Sequence, residues 1–443
     1  MTPKAWPAPR ALKPVDADVT IPGSKSLTNR ELVLSALASG PSTLSGALRA
    51  RDTDLMVAAL RKLGAEIDMG ADNWQVSKIP CVPHSGPVTI DCGLAGTVMR
   101  FIPAVASLYE RDVRFIADEQ ANERPVKPLY QALRSMGVDF DYEGEAQYPV
   151  TMRGPAKADG PVRLDSSGSS QFLSALLLVA PLLEADADWL EIELTGALPS
   201  KPHIEMTIDS LRRRGIRVEW TSDTSLRVKR GDIQPRDVVI EPDLSNAGPF
   251  LAAAVVTAGH VRVPYWPLTT TQAGDAWQSI LRQMGQEVDI FPLGTQYGTL
   301  CVRGHEIKGF EGDMSQVGEL VPTLAAVCAL ASTPSRITNI GHLRGHETDR
   351  LAAIATELRK LGVDVDEGED YLAIDPTNGW REKLQGPVEL HSYSDHRMAT
   401  FAAIIGLVVP EVYVDDIETV SKTMPDFVDR WNKMLNGGAN AQA

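Results

Sequence analysis

Several short segments of this 443-residue chain, most of them containing Lys or Arg, place serine, glycine, asparagine or aspartate near the start of an apolar run. Helix N-termini carry unpaired N–H groups and a partial positive charge, so with Lys or Arg nearby they bind phosphate and carboxylate groups. The chain as a whole has a net charge of −15. An anionic substrate must therefore be held by locally concentrated cations, and these segments are the candidates for holding it.

Four of the segments lie in the N-terminal half. They are PGSKSLTNR at 22–30, GLAGTVMR at 93–100, NERPVKP at 122–128 and SSGSSQ at 166–171. Each has a plain structural alternative: an N-cap serine with solvated basic neighbours, a helix start that needs small residues, a solvated basic pair, or a flexible turn. A Walker phosphate loop and a GxSxG nucleophile elbow are both missing.

Three more segments lie in the C-terminal half: HLRGHETDR at 342–350, SDHRM at 394–398 and SKTMPD at 421–426. The first has two histidines four residues apart, His342 and His346, so a zinc site is an alternative. It is not an HExxH motif, however, and Arg344 and Arg350 flank it, which disfavours a cation site. Arginines among carboxylates instead indicate an anion clamp with an acid or base nearby.

An internal repeat indicates which elements position these segments. A helix, a glycine and a short alternating strand recur at intervals of roughly 75 residues, which predicts six units. The glycines act as helix stops, because glycine accepts the left-handed conformation that closes a helix. They are Gly64, Gly137, Gly215, Gly285, Gly362 and Gly437. Almost no chain follows the last one, so we expect the N-terminal segment to supply its strand.

A strand, a polar turn and a helix that is apolar nearly all round also recur six times. Such helices should be buried, with the sheets packed outside them. The predicted fold is therefore an inside-out α/β barrel of two domains with three units each. We expect the first domain to comprise 1–21 with 244–443 and the second to comprise 22–243, with the active site in the cleft between them.

Composition narrows the class of protein. Hydrophobic residues make up 43% and charged residues 23% of the chain, as in ordinary globular proteins. The first residues lack the apolar core of a signal peptide, and no apolar stretch approaches the roughly 20 residues of a membrane span. Four dispersed cysteines fit a reducing compartment. With the acidic net charge, we expect a cytoplasmic protein that binds neither nucleic acid nor membranes.

Taken in order, seven motifs resemble the 5-enolpyruvylshikimate-3-phosphate synthase family. They are PGSKSLTNR, LAGTVMR, ERPVKPL, SSQFLSALL, ETDRL, SDHRM and KTMPD, and they run from Pro22 to Pro425. The resemblance implies transfer of the enolpyruvyl group of phosphoenolpyruvate to the 5-hydroxyl of shikimate 3-phosphate, through a tetrahedral intermediate that expels phosphate. It also implies a place in chorismate biosynthesis, a monomer with no metal or organic cofactor, and sensitivity to the herbicide glyphosate.

The resemblance further implies roles for individual residues. Glu319 is the candidate base, Glu347 and Lys422 are candidate acids, and Lys25 is expected to stabilise the anions. The expected contacts to shikimate 3-phosphate are Lys25, Ser26, Arg30, Ser169, Ser170, Gln171, Ser200, Glu319 and His346. The expected contacts to phosphoenolpyruvate are Lys25, Gly96, Arg124, Gln171, Arg350, His396, Arg397 and Lys422.

The chain departs from the family's common pattern at five positions. Many members have Asn, Pro, Tyr, Asp and Lys where this chain has, respectively, Leu94, Phe101, His203, Glu319 and His346. The last two changes keep a carboxylate and a possible cation. The reach of the base and the charge at His346 are left open by the sequence, as is which group moves which proton.

Three other functions are alternatives. The sister transferase that acts on UDP-N-acetylglucosamine normally has a reactive cysteine before the Arg-Pro pair, but the loop here reads ADEQANERP. A non-catalytic anion-binding protein would not need Glu319, Glu347 and Lys422. RNA-end chemistry on a related repeat fold fits poorly with the acidic charge.

Overall fold

The computed structural model describes residues 5–80, 86–144 and 147–437. Cys81, one of the four cysteines, lies outside the described residues. The chain folds into two compact units. We call Gly23–Ile240 the continuous unit, and Met1–Pro22 with Glu241–Ala443 the split unit.

The helices are numbered in chain order. They are α1 (Lys25–Leu37), α2 (Arg51–Leu63), α3 (Gly96–Ala106), α4 (Lys127–Ser135), α5 (Ser170–Val179), α6 (Lys201–Arg213), α7 (Leu244–Val256), α8 (Trp277–Gln283), α9 (Val321–Cys328), α10 (Arg350–Lys360), α11 (Trp380–Lys383), α12 (His396–Gly406) and α13 (Phe427–Leu435). Short 3₁₀ helices span Glu119–Glu123, Ala180–Leu182, Ala273–Ala276, Gly318–Leu320, Gly341–Gly345 and Ile417–Lys422. No helix among the described residues is long and apolar enough to cross a membrane.

The strands are numbered in the same way. The first twelve are β1 (Trp6–Pro7), β2 (Asp16–Asp18), β3 (Ser42–Ser45), β4 (Ile67–Met69), β5 (Asn73–Val76), β6 (Val88–Asp91), β7 (Asp112–Ile116), β8 (Asp139–Tyr142), β9 (Val150–Arg153), β10 (Lys157–Ala158), β11 (Val162–Leu164) and β12 (Glu184–Ala185). The others are β13 (Trp189–Leu194), β14 (Val218–Ser222), β15 (Ser225–Lys229), β16 (Val238–Val239), β17 (His260–Pro267), β18 (Glu287–Leu293), β19 (Tyr297–Arg303), β20 (Glu311–Asp313), β21 (Ser335–Thr338), β22 (Asp364–Glu367), β23 (Leu372–Asp375), β24 (Val388–Leu390) and β25 (Val412–Val414).

Six sheets follow one plan, in which a parallel pair of strands continues into antiparallel neighbours. In the continuous unit their strand orders are β16-β3-β5-β4, β6-β7-β9-β8 and β11-β13-β15-β14. In the split unit they are β18-β19-β17-β2, β20-β21-β23-β22 and β1-β25-β24. The N-terminal segment adds two of these strands, because β2 pairs parallel with β17 and β1 pairs antiparallel with β25. The six repeats predicted from the sequence are therefore present.

The apolar helices lie at the centre of each unit, as predicted. In the continuous unit α1, α3 and α5 pack on one another, and in the split unit α7, α9 and α12 do the same. Each unit has its own hydrophobic core, within residues 32–233 and within 15–21 with 244–434. The strands alternate: β19 turns Gly298, Leu300 and Val302 inward while its other residues are more exposed. This is the buried-helix, outer-sheet fold expected from the repeat.

The repeated glycines end their helices in the way the sequence predicts. Each adopts a positive φ, the region in which a side chain would be strained. The φ values are 113° at Gly64, 88° at Gly137, 85° at Gly215, 86° at Gly285, 87° at Gly362 and 74° at Gly437.

Candidate active site

In the continuous unit, α1 begins at the lysine of PGSKSLTNR. Ser24 is the N-cap, and its Oγ accepts from the N–H of Leu27 at 3.4 Å. The Nζ of Lys25 lies 3.1 Å from Oδ2 of Asp52, a buried carboxylate in the first turn of α2. Since the carboxylate is fixed by its helix, the ion pair restricts where the flexible lysine can reach. Lys25 is thereby held at a helix start, with Ser26 next to it.

Arg30 lies inside the continuous unit, with 1% of its surface exposed. Its Nε donates to the hydroxyl of Thr207 at 2.7 Å, and Nη2 donates to the hydroxyl of Ser174 at 3.2 Å and the carbonyl of His203 at 3.1 Å. Its Nη1 donates to the carbonyl of Ser26 at 3.0 Å. These bonds tie α1 to α5 and α6. The predicted contact of Arg30 with substrate remains a prediction beside this bracing role.

Gly96 and Arg124 are in direct contact. The Nη1 of Arg124 donates to the carbonyl of Leu94 at 2.9 Å, which holds the guanidinium against the start of α3. A Cβ at Gly96 would lie only 2.8 Å from Nη2 of Arg124. Because glycine has no Cβ, it leaves this buried arginine room to occupy its observed place.

Gln171 is oriented by an arginine from another helix. The Nη1 of Arg100 donates to Oε1 of Gln171 at 2.7 Å, and its Nε and Nη2 donate to the carbonyl of Pro125 at 3.4 and 3.2 Å. With its oxygen already an acceptor, the amide of Gln171 offers its NH₂ group as the donor. The backbone N–H of Gln171 donates to Oγ of Ser169, the N-cap of α5.

Ser170 and Ser200 begin two further helices of the continuous unit. Ser170 is the first residue of α5 and is buried. Ser200 precedes α6 with a φ of 52°, and its hydroxyl makes no capping bond to the helix. A non-glycine residue in this region is uncommon and is held there by its surroundings. Both hydroxyls thus lie where backbone N–H groups of a helix start are concentrated.

In the split unit, Arg350 joins two carboxylates. Its Nε donates to Oδ2 of Asp395 at 2.7 Å, and its Nη2 donates to Oε2 of Glu347 at 2.8 Å. Its Nη1 lies 3.1 Å from Nδ1 of His346. Burial acts to lower the pKa of Arg350, but the charges of Asp395 and Glu347 outweigh it and the pKa is raised. The arginine is a permanent cation that orders these groups around itself.

Arg397 has a different electrostatic environment. Burial lowers its pKa, and the charge of Arg350 lowers it further, although Glu319, Asp243 and Asp395 act in the opposite direction. A lowered arginine pKa means that the cation is less stabilised here than in water, so an anion brought beside it is favoured. His396 precedes it as the first residue of α12, with Nδ1 3.7 Å from Oδ1 of Asp395.

Glu319 lies in the 3₁₀ helix that leads into α9, where 9% of its surface is exposed. Its Oε1 accepts from the hydroxyl of Ser245 at 3.1 Å, near the start of α7. His342 is close by, because a Cβ at Gly318 would lie 2.6 Å from its Nε2. Burial lowers the pKa of His342, while the charge of Glu319 acts to raise it. A buried carboxylate with a hydroxyl donor thus lies near an imidazole that favours the neutral form.

Lys422 is the last residue of the 3₁₀ helix Ile417–Lys422 and is buried. That helix packs against α12, which begins with His396 and Arg397. Across residues 5–80, 86–144 and 147–437, no group of three or more His, Cys, Asp or Glu side chains is arranged to hold a metal ion.

The family comparison covers nearly the whole chain. A sequence profile of the family described as EPSP synthase (3-phosphoshikimate 1-carboxyvinyltransferase) matches residues 9–431. This chain belongs to the EPSP synthase family. A relative named 3-phosphoshikimate 1-carboxyvinyltransferase, from Kocuria rhizophila, is 49% identical over 440 residues that cover 97% of this chain and 96% of the relative.

Solved structures share the fold of this EPSP synthase family member. One is an EPSP synthase from Acinetobacter baumannii, with a TM-score of 0.77 and 22% identity over 97% of both chains. Another is the enolpyruvyl transferase NikO from Streptomyces tendae, with a TM-score of 0.72 and 16% identity over 96% of both chains. At these identities the likeness establishes the two-domain inside-out α/β fold, and the family comes from the sequence matches.

Contacts within the split unit link most of its predicted site residues. Arg350 and Arg397 interact electrostatically with each other and with Glu319, and Glu347, His346 and His396 lie around them. Lys422 is linked to this group through the packing of its segment on α12. In the continuous unit, direct pairs among predicted residues include Gly96 with Arg124, Ser169 with Gln171 and Ser26 with Arg30.

Five supporting residues were absent from the predicted set. They are Asp52, Arg100, Ser245, His342 and Asp395, each of which contacts or faces a predicted site residue. Arg100, His342 and Asp395 fall inside motifs that the sequence singled out, so their neighbourhood was a usable signal. Asp52 and Ser245 lie outside those motifs, and only the fold brings them to Lys25 and Glu319.

Proposed function

We propose that this protein transfers the enolpyruvyl group of phosphoenolpyruvate to the 5-hydroxyl of shikimate 3-phosphate and releases phosphate. Membership of the EPSP synthase family over residues 9–431 supports the reaction. The structural observation that carries the proposal is the group formed by Glu319, Arg350 and Arg397 in the split unit. It combines a buried carboxylate with two cations, the buried Arg350 and the half-buried Arg397. These are the parts needed to move a proton beside an anionic reactant.

The split unit supplies the acid–base chemistry in this proposal. Glu319 takes the proton of the attacking hydroxyl, and the hydroxyl of Ser245 holds its carboxylate in place. Glu347 or Lys422 then protonates the methylene carbon of phosphoenolpyruvate, so that its central carbon accepts the oxygen. Arg350 and Arg397 bind the phosphate and carboxylate groups of this substrate, with His396 beside them. Elimination then removes phosphate and one proton of the methyl group from the tetrahedral intermediate, with the phosphate or a site carboxylate taking the proton, and this restores the carbon–carbon double bond.

The continuous unit holds shikimate 3-phosphate and part of the phosphoenolpyruvate in this proposal. The hydroxyls of Ser26, Ser169, Ser170 and Ser200 stand at helix starts, where a phosphate is favoured. The continuous unit also contributes Lys25, Arg30 and Gln171 to the proposed contacts with shikimate 3-phosphate, and the split unit contributes Glu319 and His346. Arg124, placed by Gly96, binds phosphoenolpyruvate, and Lys25 and Gln171 contact both substrates.

Three further properties belong to the proposal. Both substrates are intracellular metabolites, so the enzyme is proposed to act in the cytoplasm. It is also proposed to be a monomer. Glyphosate is proposed to inhibit it at the phosphoenolpyruvate site, where Gly96 leaves room beside Arg124. Full activity at millimolar glyphosate would contradict the proposed inhibition. Leu94 and Phe101, which differ from the common family pattern, would then be the first residues to test as the cause.

The proposal is tested by phosphate release from the purified protein in the presence of chelator. Phosphoenolpyruvate is supplied with shikimate 3-phosphate in one reaction and with UDP-N-acetylglucosamine in a parallel one. We expect release only with shikimate 3-phosphate. Release only with the sugar nucleotide would assign the chain to the sister reaction, and release with neither acceptor would indicate a binding protein.

A further inference from the structure

The loop that leads into α12 has an uncommon backbone. Tyr393 and Ser394 have φ values of 55° and 54°, so two successive non-glycine residues adopt the left-handed conformation. Such residues persist only where their surroundings fix them, and they concentrate at functional sites. The loop ends at Asp395, the N-cap of α12, and His396 and Arg397 follow directly. The conformation of the loop therefore determines where these two side chains begin.

Glu357 holds the first half of this loop. It lies on α10 and is fully buried, with 0% of its surface exposed. Its Oε1 accepts from the hydroxyl of Tyr393, and its Oε2 accepts from the backbone N–H of His391 at 3.1 Å. The Nζ of Lys360 also donates to Oε2, at 2.8 Å. A buried carboxylate needs such donors, and here two of the three come from the loop.

The same helix holds the end of the loop. Arg350 and Glu357 are seven residues apart, so they lie on one face of α10 about 10 Å from each other along its axis. Arg350 binds Asp395 through Nε at 2.7 Å and Nη2 at 3.3 Å. One helix face therefore binds both ends of the loop: Glu357 binds His391 and the left-handed Tyr393, and Arg350 binds Asp395.

A second carboxylate holds the loop from another element. Oδ1 of Asp415, the residue that follows β25, accepts from the backbone N–H of Ser392 at 2.7 Å. Its Oδ2 lies 3.0 Å from Nδ1 of His391. The chain continues from Asp415 into the 3₁₀ helix that ends at Lys422. The loop is thus bound to the segment that carries Lys422 as well as to α10.

We propose that Glu357 and Tyr393 are positioning residues that hold the 391–395 loop in the conformation that presents His396 and Arg397 to the anionic substrate. The inference rests on the proposed function, because Arg397 is the proposed clamp for phosphoenolpyruvate. Neither residue needs to touch a substrate. Loss of their bond lets the left-handed loop relax, and the start of α12 then moves away from its productive place.

The test is Tyr393→Phe, which removes one hydroxyl and keeps the ring. Tyr371→Phe is the matched control, since the hydroxyl of Tyr371 donates to Asp366 at 2.8 Å in the same unit but on its surface. We expect Tyr393→Phe to lower kcat/KM for phosphoenolpyruvate about tenfold, because small displacements of positioning groups are costly in catalysis. The KM for shikimate 3-phosphate should stay unchanged. Amide hydrogen exchange at 391–395 should become faster, and the control should match wild type in every measurement.

Glu357→Gln and Glu357→Leu form a graded pair. Glutamine keeps an oxygen that can accept from Tyr393, so it should retain more of the phosphoenolpyruvate kcat/KM than leucine does. A Tyr393→Phe enzyme with wild-type kinetics for phosphoenolpyruvate would overturn the inference alone, as would an equal rise in the KM values of both substrates. A wild-type protein without turnover would instead overturn the proposed function and this inference with it.

Discussion

The two units hold their site arginines in different ways. In the continuous unit Arg30 donates to hydroxyl and carbonyl oxygens, Arg124 donates to a carbonyl, and Arg100 donates to a carbonyl and an amide oxygen. In the split unit Arg350 is held by the carboxylates of Asp395 and Glu347. Neutral oxygens do not titrate, whereas carboxylates carry charge and can move protons.

Among the arginines, the difference separates binding from proton transfer, whereas Lys25 of the continuous unit is held by the carboxylate of Asp52. Hydroxyl and carbonyl groups that bind an arginine position it without changing their own charge as the pH changes. Such partners suit a surface that recognises phosphate. Supports made of carboxylates place possible acids and bases within reach of the cation, which suits the reacting end of the substrate. We therefore expect changes in the split unit to affect turnover first, and changes in the continuous unit to affect substrate affinity first.

The largest effect is expected from Glu319→Gln. Replacing the proposed base with an amide keeps its shape but removes proton transfer, so kcat should fall by roughly 10² to 10⁴. Glu311→Gln is the control, because Glu311 is an exposed residue on β20 of the same unit. Steady-state rates and the thermal midpoint should be measured together. A Glu319→Gln enzyme with wild-type kcat would remove the acid–base role from this unit.

A smaller effect is expected from Gly96→Ala in the continuous unit. The new methyl group would lie 2.8 Å from Nη2 of Arg124, so the guanidinium must shift. We expect the KM for phosphoenolpyruvate to rise about tenfold with little change in kcat, and glyphosate inhibition to weaken. Gly40→Ala is the control, since its Cβ would meet only Pro235 at 3.4 Å, an ordinary contact. A fall in kcat at unchanged KM would reverse the proposed division of roles.

Arg100→Lys should have a milder effect. Lysine keeps the charge but cannot bind Gln171 and Pro125 with a planar fork, so the amide of Gln171 loses its fixed orientation. Loss of one such hydrogen bond corresponds to about 0.5–1.5 kcal/mol, or roughly a twofold to thirteenfold rise in KM for shikimate 3-phosphate. Arg61→Lys is the control, because Arg61 donates to the carbonyl of Ile67 in the same unit. An unchanged KM in both variants would show that the orientation of Gln171 is not limiting.

The smallest effect concerns stability and pH. Burial lowers the pKa of His342 below its usual 6.5, so between these two values the unfolded chain binds a proton that the folded chain does not. Stability from this residue is therefore complete above pH about 6.5 and decreases as the pH falls through that window. We expect His342→Gln to unfold with a weaker dependence on pH below about 6.5. Identical slopes for variant and wild type would contradict this assignment.

The sequence predicted the fold well, because the types of residues in the repeat determine its elements. Glycine at Gly64 and its five counterparts ends a helix for a reason that is local, and an apolar helix must be buried whatever its neighbours are. The first and last elements were harder. Short strands such as β1, Trp6–Pro7, become strands only through pairing with a segment far along the chain.

The site was predicted less completely, because support comes through space. Lys25 is 27 residues from Asp52, and Glu319 is 74 residues from Ser245. Nothing in the spacing of these pairs indicates their contact. Arg30 shows a different limit of the sequence analysis. Its motif indicated an anion-binding residue, whereas in the fold its hydrogen bonds also connect three helices. Tertiary packing determines both the contacts of Lys25 and Glu319 and the additional role of Arg30, and a sequence motif does not reveal packing.

The central claim is tested most directly by the fate of one oxygen atom. Phosphoenolpyruvate labelled with ¹⁸O in the oxygen that bridges carbon and phosphorus would be incubated with shikimate 3-phosphate and the wild-type protein. The released phosphate would then be examined by ³¹P NMR. Addition to the central carbon followed by elimination breaks the carbon–oxygen bond, so all of the label should appear in the phosphate. Label retained in the organic product would mean that the phosphorus–oxygen bond breaks, and would contradict enolpyruvyl transfer.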